Sequence, residues 1–333
     1  MNKKILGMLL LSLILLLTGC RKMSEKDIVS DLEKKVTNAN AYKLEGTLEL
    51  LNNDDIYNYD VEVSFKKEDY YKVVLVNQAN QHEQIILKNE EGVYVLTPSL
   101  NKSFKFQSDW PYSNSQIYLL ESVINDLLND KEREFKELEK GYQFTTKVDY
   151  PNNPSLVKQE IILDKELEIK EVIVLNKEDI AHMTMKFTDI DFSPSFKDDY
   201  FVLEEIVEDV EVAENDTPVG LIDQSIFPLV IPEGTRLISK EEIKQTDGER
   251  VIMTFAGDHP FILVQETANV RDEFTIIPTQ GEPHMLIDTL GVITNNSITW
   301  SSNGVEYYIV SDVLNKQELI NVASSINVVQ VMK

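Results

Sequence analysis

Apolar side chains recur every three or four residues at Ile28, Val29, Leu32, Val36 and Ala39, a spacing that puts them on one face of a helix. Ser24 followed by Asp27 supplies an N-cap with an acid at N3, so the helix is predicted from there to about Asn38. Beyond Asn40 the period changes to two. Tyr42, Leu44, Leu48 and Leu50 alternate with Glu45, Thr47 and Glu49, and Tyr57, Tyr59, Val61, Val63 and Phe65 follow the turn cluster Asn52, Asn53, Asp54, Asp55. Further strands are predicted at 70–77, 83–89, 92–97 and 103–107. Strands of this length, joined by short polar turns, predict an antiparallel meander. Helical spacing returns between 114 and 129, with Ile117, Leu120, Val123, Ile124, Leu127 and Leu128 on one face. Strands resume at 141–148, 157–163, 168–175 and 180–190. A sheet of so many strands twists and curls, and its apolar concave face needs a cover. The two helices are the available cover.

The second part of the chain begins with a change of composition. From Glu204 to Asp216 there are seven acids and no Lys or Arg, which reads as a solvated linker. A calcium loop needs acids at fixed offsets around a turn glycine, and that pattern is absent. Beyond it strands are predicted at 249–256, 261–267, 274–277, 297–301 and 304–310, a helix at 315–324 and a final strand at 326–331. The fold class expected is therefore α+β: a large antiparallel sheet with helices in its concavity, plus a smaller α+β unit. The divisions expected are 1–19 signal peptide, 20–203 first domain, 204–224 acidic linker and 225–333 small C-terminal α+β domain.

Composition narrows the function. The chain is 42% hydrophobic, as an ordinary globular protein is, and its formal net charge is −25. That charge disfavours nucleic acid, whose binding needs clustered Lys and Arg. Four histidines, His82, His182, His259 and His284, are scattered, with no H-E-x-x-H and no paired metal-ligand spacing. No G-x-S-x-G elbow and no Gly-rich phosphate loop occurs. Gly281, Glu282, Pro283 and His284 form the one loop with both a carboxylate and an imidazole, and they read as a turn. The expectation is a protein that is not an enzyme and has no cofactor.

The first twenty residues say where it works. Lys3 and Lys4 precede an apolar run from Ile5 to Leu17, broken only by Gly7 and Ser12. This is the layout of a secretory signal peptide, and the run is too short to span a bilayer comfortably. Leu17-Thr18-Gly19-Cys20 resembles the lipobox of bacterial lipoproteins, which implies a covalent diacylglycerol on the Cys20 thiol. Cys20 is the one cysteine in 333 residues, so no disulfide can form. Only Arg21, Lys22 and Met23 separate the anchor from the first helix, which holds the body close to the membrane.

One further stretch combines a hairpin loop, Pro98 to Asn101, with an aromatic strand and a Trp110-Pro111 corner. Phe104, Phe106 and Trp110 are core there, or they line a mouth for an acyl chain or a partner segment; Ile117, Leu120 and Ile124 of the following helix share that candidacy. Residues 94–128, the lipobox and the strand Asp69-Tyr70-Tyr71-Lys72-Val73 resemble the YdcC-type sporulation-associated lipoproteins of Gram-positive spore formers, within the LolA-like/RseB-like superfamily. The resemblance covers roughly 1–200; residues beyond it resemble the small C-terminal domain of RseB-like proteins. It implies a curved antiparallel half-barrel with helices in its concavity. It also implies a lipid-anchored binding or scaffold protein of sporulation or germination, at the extracytoplasmic face of the cell membrane or the outer forespore membrane. A cell-envelope protein, such as a cortex-modifying enzyme, is the partner expected. A carrier or sensor that takes a lipid or lipopeptide into the half-barrel is the other reading.

Overall fold

The computed structural model describes residues 23–52, 55–107, 110–111, 115–150, 153–209, 222, 226–245, 248–269, 273–286, 289–302 and 304–326. Cys20 with the whole signal sequence, most of the acidic stretch, and the expected strand at 326–331 beyond its first residue lie outside the described residues.

The capping pattern read at Ser24 is present. The Ser24 hydroxyl accepts from the Asp27 backbone N–H at 3.2 Å, and the Asp27 carboxylate accepts in return from the Ser24 N–H at 3.3 Å. Helix α1 (Glu25–Thr37) follows, with Ile28, Val29, Leu32 and Val36 buried. Strands β1 (Ala41–Asn52), β2 (Asp55–Lys66), β3 (Tyr70–Asn77), β4 (Glu83–Asn89), β5 (Gly92–Thr97) and β6 (Lys102–Phe106) make the predicted meander. After α2 (Leu120–Asn129), a second meander runs through β7 (Glu134–Leu138), β8 (Gly141–Lys147), β9 (Leu156–Asp164), β10 (Ile169–Asn176) and β11 (Ala181–Asp191). Strand β11 pairs back onto β1, so the two meanders form one sheet. That return requires a close approach: a Cβ on Gly46 would lie 2.2 Å from the Lys186 carbonyl, at a register shift in the pairing.

The sheet is α+β half-barrel architecture with an apolar concave face. Alternate residues of β1 to β3, among them Tyr42, Leu44, Leu48, Phe65, Val63, Tyr71 and Val73, form one core with α1 and α2. Strands β4 and β5 depart from alternation because both of their faces are covered. Ile86, Val93 and Val95 face the concavity, while Ile85, Leu87, Tyr94 and Leu96 pack against Phe201, Leu203 and Ile206. Leu203 and Ile206 belong to α3 (Leu203–Asp209), so the first residues expected in the acidic linker are a helix instead. The acids around those two apolar positions leave an apolar stripe too short to read alone.

The C-terminal sheet has seven strands in the order β12-β13-β14-β19-β18-β17-β16: β12 (Thr235–Gln245), β13 (Gly248–Gly257), β14 (Phe261–Thr267), β19 (Val305–Val310), β18 (Ser297–Ser302), β17 (Leu290–Ile293) and β16 (Glu282–Met285). Helix α4 (Lys316–Ser324) buries Leu319, Ile320, Val322 and Ala323 in the core of this sheet. Three of the seven, β12, β16 and β17, have no counterpart in the predicted strands. Strand β12 is an edge whose residues are nearly all exposed, so no apolar face marks it. The expected turn at residues 281–284 is a strand from Glu282 onward.

The two sheets are joined by more than a linker. Strand β15 (Thr275–Thr279) lies within the C-terminal part of the chain yet pairs parallel with β6, becoming the twelfth strand of the first sheet. Buried Gln84 of β4 acts as a clamp. Its Nε2 donates to the Leu290 carbonyl at 3.2 Å, and its Oε1 accepts from the Thr289 hydroxyl at 3.0 Å and from the Leu290 N–H. Lys102, only 6% exposed, pairs with Glu306 at 2.8 Å.

Candidate functional site

The concavity of the half-barrel is filled from two sides. Rings stack across β1, β2 and β3: Tyr42 lies 5.0 Å from Phe65, Phe65 lies 4.9 Å from Tyr71, and Tyr71 meets the edge of Trp110 at 5.8 Å. Onto them pack Ile117, Leu120, Val123, Ile124 and Leu127, every one no more than 3% exposed. The residues singled out from the sequence are thus brought together, with one exception. Phe106, Trp110, Ile117, Leu120 and Ile124 share the core, whereas Phe104 is half-buried at its margin, with the Lys102 ammonium 4.7 Å above its ring. The helix expected from residue 114 begins only at Leu120. Leu119 is extended and the Gln116 N–H donates to the Ser122 hydroxyl at 2.7 Å, so Ile117 enters the core from a tied loop.

A cavity of about 170 Å³ lies where the concavity meets the C-terminal part of the chain. Its half-barrel wall is Leu48, Leu50 and Ile86, with Trp110, Ile117 and Tyr118 from the loop before α2. Its other wall is Pro283, His284, Met285, Leu286 and Leu290, with Ile320 and Ser324 of α4. Leu290 and Val292 of β17 even belong to the half-barrel core. Burial pushes the His284 imidazole down to about 4, so it is neutral at pH 7 and offers one donor and one acceptor. Tyr150, also in the wall, carries a buried hydroxyl with no hydrogen-bond partner among the described residues. Burial first, and Asp126 next, raise its pKa well above that of an ordinary tyrosine. His182 is engaged with Asn176 at 3.2 Å.

Neither Tyr150 nor the placement of His284 could be found by spacing. Tyr150 stands in a loop after β8, and residues 283–286 reach the cavity through strand pairings with partners later in the chain.

A second, polar groove of about 760 Å³ runs along the outer side of α2 and is lined by Glu121, Asp126, Asp130, Glu132 and Asp149 beside Lys131 and Lys147. Burial raises Glu121 to about 7, although its Oε2 accepts from the Tyr42 hydroxyl at 2.6 Å. Burial likewise raises Asp126 to about 6, against hydrogen bonds from Ser115 and Gln159. Among the described residues no group of three His, Cys, Asp or Glu side chains is placed to hold a metal ion, and no helix is long and apolar enough to cross a membrane. What this geometry can do is bury a small apolar body.

No family model matches the chain. Among solved structures, the complex of MucA and MucB from Pseudomonas aeruginosa resembles it over 90% of this chain and 98% of that one, at 13% identity and a TM-score of 0.33. The CwlD amidase from Clostridioides difficile in complex with the GerS lipoprotein gives a match over 54% of this chain and 99% of that one, at 18% identity and a TM-score of 0.30. Sporulation protein YdcC of Bacillus subtilis (strain 168) is 35% identical over 317 residues, which cover 94% of this chain and 93% of YdcC. With identity at that level along nearly the whole of both chains, this protein belongs to the family of sporulation protein YdcC.

Proposed function

We propose that this protein is a non-enzymatic binding protein of sporulation, tied by a diacylglycerol on Cys20 to the extracytoplasmic face of the cell membrane or the outer forespore membrane. It holds a protein partner of the cell envelope, of the class that modifies the cell wall. In this reading the half-barrel, 20–203, and the C-terminal unit, 225–333, act as one body joined through β15, with the rest of the acidic stretch between them.

The observation that carries the reading is the filled concavity. A carrier of lipidated cargo needs an open apolar space of several hundred cubic ångströms. Here Leu120, Val123, Ile124 and Leu127 of α2 occupy it to the close packing of a core, and the cavity beside them is about 170 Å³. Recognition is then a matter for the outer surface. Family membership supports the sporulation setting, and the Leu17-Thr18-Gly19-Cys20 sequence supports the anchor.

The test is a pull-down from membranes of sporulating cells, with mass spectrometry of proteins and of lipids. One defined envelope protein, recovered without stoichiometric lipid beyond the anchor, is the expected result. Stoichiometric bound lipid with no protein partner would favour a carrier or sensor instead.

A further inference from the structure

The segment that leads into β12 is tied at its backbone and bare at its side chains. Ile226 is bound to buried Gln265 of β14 twice, through its N–H at 3.0 Å and through its carbonyl. Three residues on, the Leu229 N–H donates to the Ser325 carbonyl just beyond α4, at 3.2 Å. Lys240 of β12 reaches over Phe227, 5.7 Å from the centre of its ring, so segment and strand lie side by side. Along them Phe227, Leu229, Val230, Ile231, Leu237 and Ile238 are 36–73% exposed. A large apolar side chain exposed singly is ordinary, whereas a contiguous group of them marks a contact. Water-facing side chains on a fixed backbone cannot turn inward, so the patch calls for a cover.

The chain itself delivers a candidate to the spot. Ser325, the residue bonded to Leu229, and buried Ile326 after it are the last described residues, so the chain leaves the C-terminal core at the patch. Next in sequence come Asn327-Val328-Val329-Gln330-Val331-Met332-Lys333, with four apolar side chains and one charge. Valines at this density suit an extended, half-buried place. Seven extended residues reach ~23–25 Å, enough to pass 229–231 and meet the start of β12. A segment tethered so close acts at an effective concentration on the order of millimolar, ahead of a second copy or a free protein. We propose that residues 327–333 dock on this patch, laying their apolar side chains over Leu229, Val230, Ile231 and Leu237. The tail is then a built-in cover that withholds this strip from other proteins and from lipid. It gives the strand expected at 326–331 its place, and it narrows the outer surface open to a partner. The inference does not depend on the scaffold reading, since tail and patch belong to one chain.

The test uses the full chain in lipid nanodiscs with the photo-cross-linker p-benzoylphenylalanine at position 230, whose native side chain is exposed. Light and heavy-isotope chains are mixed before irradiation, and the joined peptides are read by mass spectrometry. Cross-links to residues 327–333 that join peptides of like isotope only are the expected result. Mixed-isotope pairs would make the patch an interface between copies, and cross-links to lipid would make it a membrane contact. Either result overturns the proposal, as does the lack of any cross-link to 327–333. Carbene footprinting supplies a second reading. Val328→Ser, Val329→Ser, Val331→Ser and Met332→Ser combined keep the length of the tail and remove its apolar surface. Labelling at 229–231 is expected to rise severalfold in that variant, while Leu263 and Ile309 of the core stay protected. Equal labelling of the two chains at 229–231 overturns the proposal. Should the core lose its protection in the variant, the cross-link in the chain with its native tail decides alone.

Discussion

Glu121 occupies the first turn of α2, with one carboxylate oxygen turned inward to the Tyr42 hydroxyl and the other buried with no hydrogen-bond partner among the described residues. Burial holds its pKa up at about 7, above the ordinary value of 4.5. Between those two values the folded chain keeps a proton that the unfolded chain has released, so this residue makes stability fall as pH rises from about 4.5 to 7. The loss is at most about 3 kcal/mol, and solvent at the groove reduces it. Glu121→Gln keeps an acceptor for Tyr42 and removes the ionisation. It is expected to raise the urea midpoint at pH 8 distinctly more than at pH 5, and an equal effect at the two pH values would remove the buried-carboxyl account. His284 acts in the opposite sense: its depressed pKa of about 4 costs stability as pH falls below about 6.5. The apolar character of Ile117, Leu120 and Ile124 was legible at this scale. The inward turn of one acid on an otherwise polar face was not, because it depends on Tyr42, far away in sequence.

Helix α2 is short, ten residues, and carries no side-chain N-cap. Helices of that length are marginal by themselves, so α2 exists because its apolar stripe fills the half-barrel. Ile124, 1% exposed, is part of that core. Ile124→Ala is expected to cost about 2–5 kcal/mol in chemical denaturation. A cost below about 1 kcal/mol would mean that α2 is a movable cover and not a plug. Helix α1 differs, since its capping box is written in Ser24 and Asp27 and was readable directly. Strands with one covered face, such as β3 with its strict alternation, were readable too. Those without any covered face were not, β12 above all, and neither was α3, whose two apolar anchors are set among acids.

For the molecule as a whole, the proposed attachment rests on a single atom, the Cys20 sulfur. Cys20→Ala is expected to abolish lipidation and to leave the chain unprocessed or shed into the medium. A processed Cys20→Ala form that still partitions into the detergent phase would refute the lipobox reading. The folded body is two sheets made interdependent by β15 on β6, by the Gln84 clamp and by Lys102 on Glu306. The sequence by itself determined the α+β class, the meander and both concave-side helices. It could do so because periods of two and of 3.6 record which face of an element is covered, and a helix cap is complete within a few residues. Tertiary structure alone decided that residues 275–279 leave their neighbours to pair with β6, and that residues 283–286 roof a cavity begun by Leu48 and Ile86. Those are meetings between segments more than a hundred residues apart, and local spacing carries no record of a partner at that distance.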